Sequence, residues 1–269
     1  FHGRTLASLQ STGLEAYRRR ATLPADEETT QTLRFGRLED LERIDGSVAA
    51  VLCESVPSLA GVYMPPEGYY PALAARAEAA GALLIFDEVQ GGVGRLGRWF
   101  AHERFGVAPQ LVTLAKSLAG GFPAGALLTS EAIAQEVGYG ELGTTFGGGP
   151  MACAMIETVA RVVLREGLLS RVAAIEARLR SGLAAAGLDA SQGVELRGAG
   201  CLLGLQTPLA AKELQSKLLA RGILVGTSAM PRTARLLPPY ILQDSDIDRF
   251  VSTLGEVLAA AVFRDQESA

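Results

Sequence analysis

Histidine and cysteine are scarce in this 269-residue chain, which holds two of the first and three of the second. Cys53, Cys153 and Cys201 lie far apart and show no metal-ligand spacing, so the sequence offers no zinc site. Cys53 and Cys201 sit in the apolar runs VAAVLC and CLLGL, which predicts buried, inert thiols. Positive charge is not in excess either. Lys plus Arg number 25 against 29 for Asp plus Glu, a net charge of −4 that gives no general attraction to nucleic acid or anionic lipid. The short run Arg18-Arg19-Arg20 reads as solvated surface. No apolar stretch reaches transmembrane length and no signal peptide opens the chain, so the expected location is cytoplasmic, with neither membrane nor nucleic acid as partner. The chain opens Phe1-His2-Gly3-Arg4-Thr5 without a methionine, as if entered partway.

The rest of the composition is that of an ordinary globular protein, 48% hydrophobic and 20% charged, and long enough for one large core or two smaller ones. The stretch to Gly46 is polar and resists assignment. Val48 to Cys53 suits a buried strand, Pro57 to Pro66 a loop, and Gly68 to Ala80 a helix closed by Gly81. Ala82 to Phe86 follows as a second strand, completing a βαβ unit. Leu111 to Ala115 and Gly125 to Leu128 are further strand candidates. From Pro150 the texture changes. Long helices are expected over 151–165 and 168–186, and short strands over 195–197, 201–205 and 223–225. Another helix is expected over 209–221 and a last one over about 244–261, capped by Asp244 or Ser245. The expected organisation is α/β, with one domain over residues 1–155 and a smaller α+β domain over 156–269.

Four segments carry candidate chemistry. Leu83 to Phe86 runs into Asp87-Glu88-Val89-Gln90, and an acid at the carboxyl end of a buried strand stands where open α/β sheets bind ligands. Lys116 follows the apolar run Thr113-Leu114-Ala115 and precedes Gly120-Gly121. Such a lysine either snorkels to solvent or is a desolvated amine able to form a Schiff base. Thr144-Thr145-Phe146-Gly147-Gly148-Gly149-Pro150 places hydroxyls and backbone amides in a glycine-rich turn before a helix, which serves either as a phosphate cradle or as a flexible capped loop. Arg235 enters the segment Leu236-Leu237-Pro238-Pro239, where its guanidinium can fork onto a carboxylate.

Taken with FHGRT at the start, FDEVQGGVGRLGRWF over 86–100, GVAPQLVTLAKSLAGGFPAG over 106–125, TFGGGPMACA over 145–154 and RLLPP over 235–239, the chain resembles class III aminotransferases, and among them the acetylornithine and ornithine group. These are pyridoxal 5′-phosphate enzymes of fold type I, so the resemblance implies a mostly parallel sheet with flanking helices and a smaller C-terminal domain. It implies that Lys116 holds the cofactor as a Schiff base and later carries the proton between Cα and C4′. Asp87 would bond the pyridine nitrogen and make the ring an electron sink. Val89 and Phe1 would cover the two ring faces, Gln90 would approach the phenolic oxygen, and Thr145 would reach the phosphate of a neighbouring subunit, so a homodimer is implied. Arg235 and Arg4 would hold substrate carboxylates, and Glu54 matches the first acid of a substrate-binding motif. The partners would be an amino donor and a 2-oxo acid such as 2-oxoglutarate.

The chain departs from the family pattern twice. Relatives carry a substantial portion before FHGRT, including a small-residue loop that grips the cofactor phosphate, and none precedes Phe1 here. Weak cofactor binding and little turnover are therefore expected of these 269 residues alone. Second, Glu54-Ser55-Val56-Pro57-Ser58-Leu59-Ala60-Gly61-Val62 stands where ornithine-type relatives read E-P-[IV]-Q-G-E-[GA]-G-V. Pro57 and Ser58 replace Gln-Gly, and Leu59 falls where the second acid pairs with the arginine corresponding to Arg235. Leucine makes no such pair, so Arg235 is expected to be unmasked throughout the cycle. Gly149 replaces a common asparagine. Three readings stay open: a transaminase with altered specificity, a related aminomutase or epimerase-type enzyme, and a non-catalytic structural or regulatory partner.

Overall fold

The structure is a computed structural model that describes residues 1–3, 5, 8–9, 11–13, 15 and 30–267, the last six of these in backbone only. Arg4 and the run Arg18-Arg19-Arg20 lie outside the described residues. The chain forms two compact units. The first comprises Phe1–Ser55, Pro65–Val93 and Arg98–Arg165, and the second comprises Val56–Met64, Gly94–Gly97 and everything from Glu166.

The first unit is built on a four-stranded sheet in the order β1 (Ala50–Glu54), β2 (Leu83–Asp87), β3 (Leu111–Leu114) and β4 (Ala126–Thr129). The first three strands are parallel and β4 is antiparallel to β3. Helix α1 (Tyr69–Ala80) makes the crossover between β1 and β2, and Gly81 in the left-handed region ends it by donating to the carbonyls of Ala77 and Glu78. Tyr69, Tyr70, Leu73 and Ala77 of α1 pack with Leu84 and Phe86 of β2 in one apolar cluster. Phe86 is fully buried, and each such side chain contributes about 1.5–3 kcal/mol by leaving water. A second cluster joins Val112, Leu114 and Leu118 to Ile156 and Val159 of a later helix, α4 (Pro150–Arg165). Two short helices lie between them in sequence, α2 (His102–Phe105) and α3 (Glu131–Gln135).

The second unit has an antiparallel sheet in the order β5 (Glu195–Ala199), β6 (Leu202–Gln206), β8 (Thr233–Leu236) and β7 (Gly226–Thr227). Helices α5 (Leu168–Ala185), α6 (Ala211–Leu219) and α7 (Asp244–Glu267) supply its core through Val172, Ile175, Leu179, Leu214, Leu218, Ile247 and Leu254, packed on Leu203 and Leu205. The expected strand over 223–225 is displaced to Gly226–Thr227, because Leu224 is exposed and it is Gly226 and Thr227 that pair with Arg235 and Ala234. Helix α7 begins at Asp244 itself. Among the described residues no helix is long and apolar enough to cross a membrane.

Candidate active site

The parallel register brings the ends of three strands level. Glu54 of β1 pairs with Asp87 of β2, and Asp87 pairs with Thr113 of β3. Lys116 comes three residues after Thr113, so all the candidate side chains of this edge leave the sheet at its carboxyl end, where α/β folds place ligands.

Asp87 is nearly buried and both carboxylate oxygens are engaged. Oδ1 accepts the backbone N–H of Val89 at 3.1 Å, and Oδ2 lies 2.8 Å from Nδ1 of His2. A carboxylate oxygen has two lone pairs, so these bonds fix the orientation of Asp87 and leave acceptor capacity for a further donor. Within the opening motif the resemblance assigns roles to Phe1 and Arg4, whereas it is His2 that meets Asp87. Its only signal was the motif itself, since no local periodicity points to a partner 85 positions away.

Lys116 has φ +51°, a left-handed conformation that side chains with a Cβ adopt rarely and that concentrates at functional sites. It opens a one-turn 3-10 helix, Lys116–Ala119, closed by Gly120 in the same region of φ. Leu118 of that turn is buried in the cluster with Ile156 and Val159, so α4 anchors the turn that carries the lysine. Lys116 itself is exposed.

Glu88 extends this framework. Its carboxylate is buried and accepts the backbone N–H groups of Ala101 and His102 at 2.7 and 2.8 Å, with Nδ1 of His102 at 2.9 Å. Its own N–H donates to the carbonyl of Thr113 at 3.0 Å. Glu88 thereby ties the start of α2 to the residue after Asp87. Glu54 is placed by Tyr70, whose hydroxyl donates to the carbonyls of Glu54 and Ser55 at 2.7 and 2.9 Å. Burial raises the pKa of that phenol well above its ordinary value, which keeps it a donor. The backbone nitrogen of Phe1 lies 2.6 Å from Glu54 Oε2. Cys53, half-buried rather than fully buried, is held as a neutral thiol by desolvation and by the charges of Asp87 and Glu54. Val89 and Gln90 lie half-buried in the turn that follows. Thr145 stands exposed in the glycine-rich turn before α4.

In the second unit, Arg235 of β8 donates from Nε to the carbonyl of Thr227 at 2.7 Å and from Nη1 to the hydroxyl of Ser58 at 3.2 Å. The guanidinium expected to stand bare is therefore held through Nε and Nη1, the second of these by Ser58. Among the described residues no group of three or more His, Cys, Asp or Glu side chains is placed to hold a metal ion.

Comparison with known proteins identifies the family. The sequence profile of the family described as Aminotransferase class-III matches residues 1–258. The acetylornithine aminotransferase of Mycobacterium leprae is 38% identical over 264 residues, covering 97% of this chain and 64% of its own length. That of Streptomyces coelicolor is 41% identical over 267 residues, again 97% of this chain and 64% of the relative. The chain thus spans just under two thirds of the length of these curated relatives. A solved structure of the Toxoplasma gondii ornithine aminotransferase, crystallised with oxidised glutathione and showing partial occupancy of pyridoxal phosphate at its active site, superposes with a TM-score of 0.88 at 26% identity. It covers 99% of this chain and 63% of that one. With the profile running through both units and the fold that of type I aminotransferases, the chain belongs to the class III aminotransferase family.

Proposed function

We propose that the full-length protein is a pyridoxal 5′-phosphate-dependent aminotransferase, moving an amino group from an acetylornithine- or ornithine-like donor to a 2-oxo acid such as 2-oxoglutarate. The observation that carries this reading is that Asp87 ends β2 and the left-handed Lys116 follows two residues after the end of β3, its parallel neighbour. The residues fit the cofactor chemically. Asp87 is a fixed, nearly buried carboxylate with acceptor capacity left for a pyridinium N–H, and Lys116 presents a primary amine from a rigid turn. When bound, the cofactor supplies an electron sink for the electrons of the broken Cα–H bond.

Every other role belongs to the chain. Asp87 holds the proton on the ring nitrogen and His2 keeps that carboxylate oriented. Lys116 Nζ would hold the cofactor and would take up and return the proton at the substrate Cα. Val89, Phe1 and Gln90 would help to hold the cofactor ring. Arg235 and Arg4 bind substrate carboxylates, and Glu54 lines the donor side. Thr145 reaches the phosphate held by a second copy of the chain. The exposed Leu142, Phe146 and Met151, close to Thr145 in sequence, support such a homodimer, since apolar side chains of this size in one segment commonly mark an interface. A cytoplasmic location goes with this reading.

The test is spectroscopic. The full-length protein with cofactor is expected to show an absorption band near the visible edge that an amino donor bleaches and 2-oxoglutarate restores. A band that no amine changes would favour the non-catalytic partner. A band that changes without net amino transfer would favour an aminomutase or epimerase.

A further inference from the structure

Among the described residues, Val62, Val93 and Lys116 have φ in the left-handed region without being glycine. Val93 belongs with Lys116. At φ +55° it carries a β-branched side chain in a conformation that such residues rarely adopt, and it is only 6% exposed. Glycine, which adopts this region freely, stands at 91, 92 and 94 but not at 93. The strained position therefore holds a side chain whose burial is of the same order as the strain.

That side chain completes an apolar cluster around the lysine turn. Val93 is buried together with Val112 and Leu114 of β3 and with Leu118 of the turn Lys116–Ala119, against Ile156 and Val159 of α4. Leu114 and Leu118 stand two positions before and two after Lys116. Backbone contacts bring Val93 there. Glu88 N–H donates to the Thr113 carbonyl at 3.0 Å and Gly92 N–H donates to the Glu88 carbonyl at 2.9 Å, so the turn after Asp87 folds back along the end of β3. A Cβ added at Gly92 would lie 2.8 Å from Cδ2 of Leu114, so the backbone beside Val93 lies against that leucine. The lysine turn is closed by N–H bonds from Leu118 to the Ala115 carbonyl at 3.1 Å and from Gly120 to the Ser117 carbonyl at 3.2 Å. Bonds of this 3-10 kind have poor geometry, so the order of the turn depends on the packing of Leu118.

We infer that Val93 is a positioning residue for Lys116, which through Leu114 and Leu118 fixes the left-handed turn that presents the amine. The inference rests on the reading of Lys116 as the cofactor lysine. It gives the segment after β2 two tasks. Asp87 at its start meets the ring nitrogen, and Val93 at its end holds the turn of the lysine.

The experiment uses the full-length protein freed of cofactor. Hydrogen exchange is followed at the amides of Leu118, Gly120 and Phe122, and capture of added pyridoxal 5′-phosphate is followed by its absorption near the visible edge. Val93→Ala and Val93→Gly both remove the packing, and glycine also frees φ, so failure of one variant to fold leaves the other. Each should speed exchange at these amides and slow capture, both by about 3- to 10-fold, and Val93→Ile should restore both. Val112→Ala lies in the same cluster but in the ladder between Phe86 and Leu128, and should lower Tm while leaving both rates within about twofold. Equal effects from Val112→Ala would mark Val93 as core packing alone and overturn the inference. Faster exchange with unchanged capture, or no change in either, would overturn it too. Borohydride reduction of the loaded protein separates the two readings. A phosphopyridoxyl group on Lys212 or Lys217 would end the reading of Lys116 and the inference with it. The group on Lys116 with unchanged rates in the Val93 variants would end the inference alone.

Discussion

His2 and Asp87, 85 positions apart in sequence, meet at 2.8 Å through Nδ1 and Oδ2. Asp87 is thereby steered from outside its own strand, and its orientation depends on a residue that makes no sequence-local contact with it. His2→Ala in the full-length protein removes one hydrogen bond to a charged group and should lower turnover about tenfold without unfolding. Asp87→Ala removes the ring-nitrogen partner itself and should lose at least about a hundredfold. Steady-state kinetics on both variants decides this, and a His2 variant with normal turnover would detach the histidine from the site.

Glu88 predicts a stability effect. Glu88→Ala leaves the buried N–H groups of Ala101 and His102 without their acceptor and should cost about 3 kcal/mol, read from urea denaturation. Glu88→Gln keeps one acceptor oxygen and should cost less. Equal and negligible effects from both would show that α2 does not depend on this carboxylate.

The parts of the molecule written in adjacent residues were legible in the sequence. The strand ending in Asp87, the turn at Lys116 and helix α1 with its Gly81 cap all follow from local pattern. The partners His2 and Ser58 were not legible, because each meets its target only through sheet register, Ser58 across 177 positions. The strand at 223–225 was misplaced for a related reason. Apolar character suggested Ile223 to Val225, whereas pairing with Ala234 and Arg235 selected Gly226–Thr227.

Gly204 of β6 offers a test of how tightly the segment Val56–Met64 packs on it, since an added Cβ would lie 2.9 Å from the carbonyl oxygen of Gly61. Gly204→Ala drives a methyl group against backbone at Gly61 and should cost about 1–3 kcal/mol, seen as a lowered Tm. Gly106→Ala, where an added Cβ meets nothing but φ is +65°, should cost only its backbone strain. A variant at Gly204 as stable as the parent would mean that the segment yields freely.

Cys201 predicts a pH dependence. It is fully buried, and burial pushes its thiol from 9.0 up to about 11, with Arg95 opposing. The folded state therefore holds the proton that the unfolded state releases first. This contribution is fully present below pH 9 and is lost as pH rises from 9 through about 11. Denaturation across that window should show a downward slope that Cys201→Ala reduces, while exposed Cys153 reacts readily with a thiol reagent at pH 8. Fast labelling of Cys201 in the folded protein would contradict the assignment.

The central claim is that Lys116 holds the cofactor, and the scarcity of lysine makes it open to a direct measurement. The sequence contains three lysines, Lys116, Lys212 and Lys217, the last two both on α6. The full-length holoenzyme is reduced with borohydride, digested and mapped by mass spectrometry. A phosphopyridoxyl group on the peptide containing Lys116, absent in Lys116→Ala, is the predicted result. The same group on another lysine, or none on any, would contradict it.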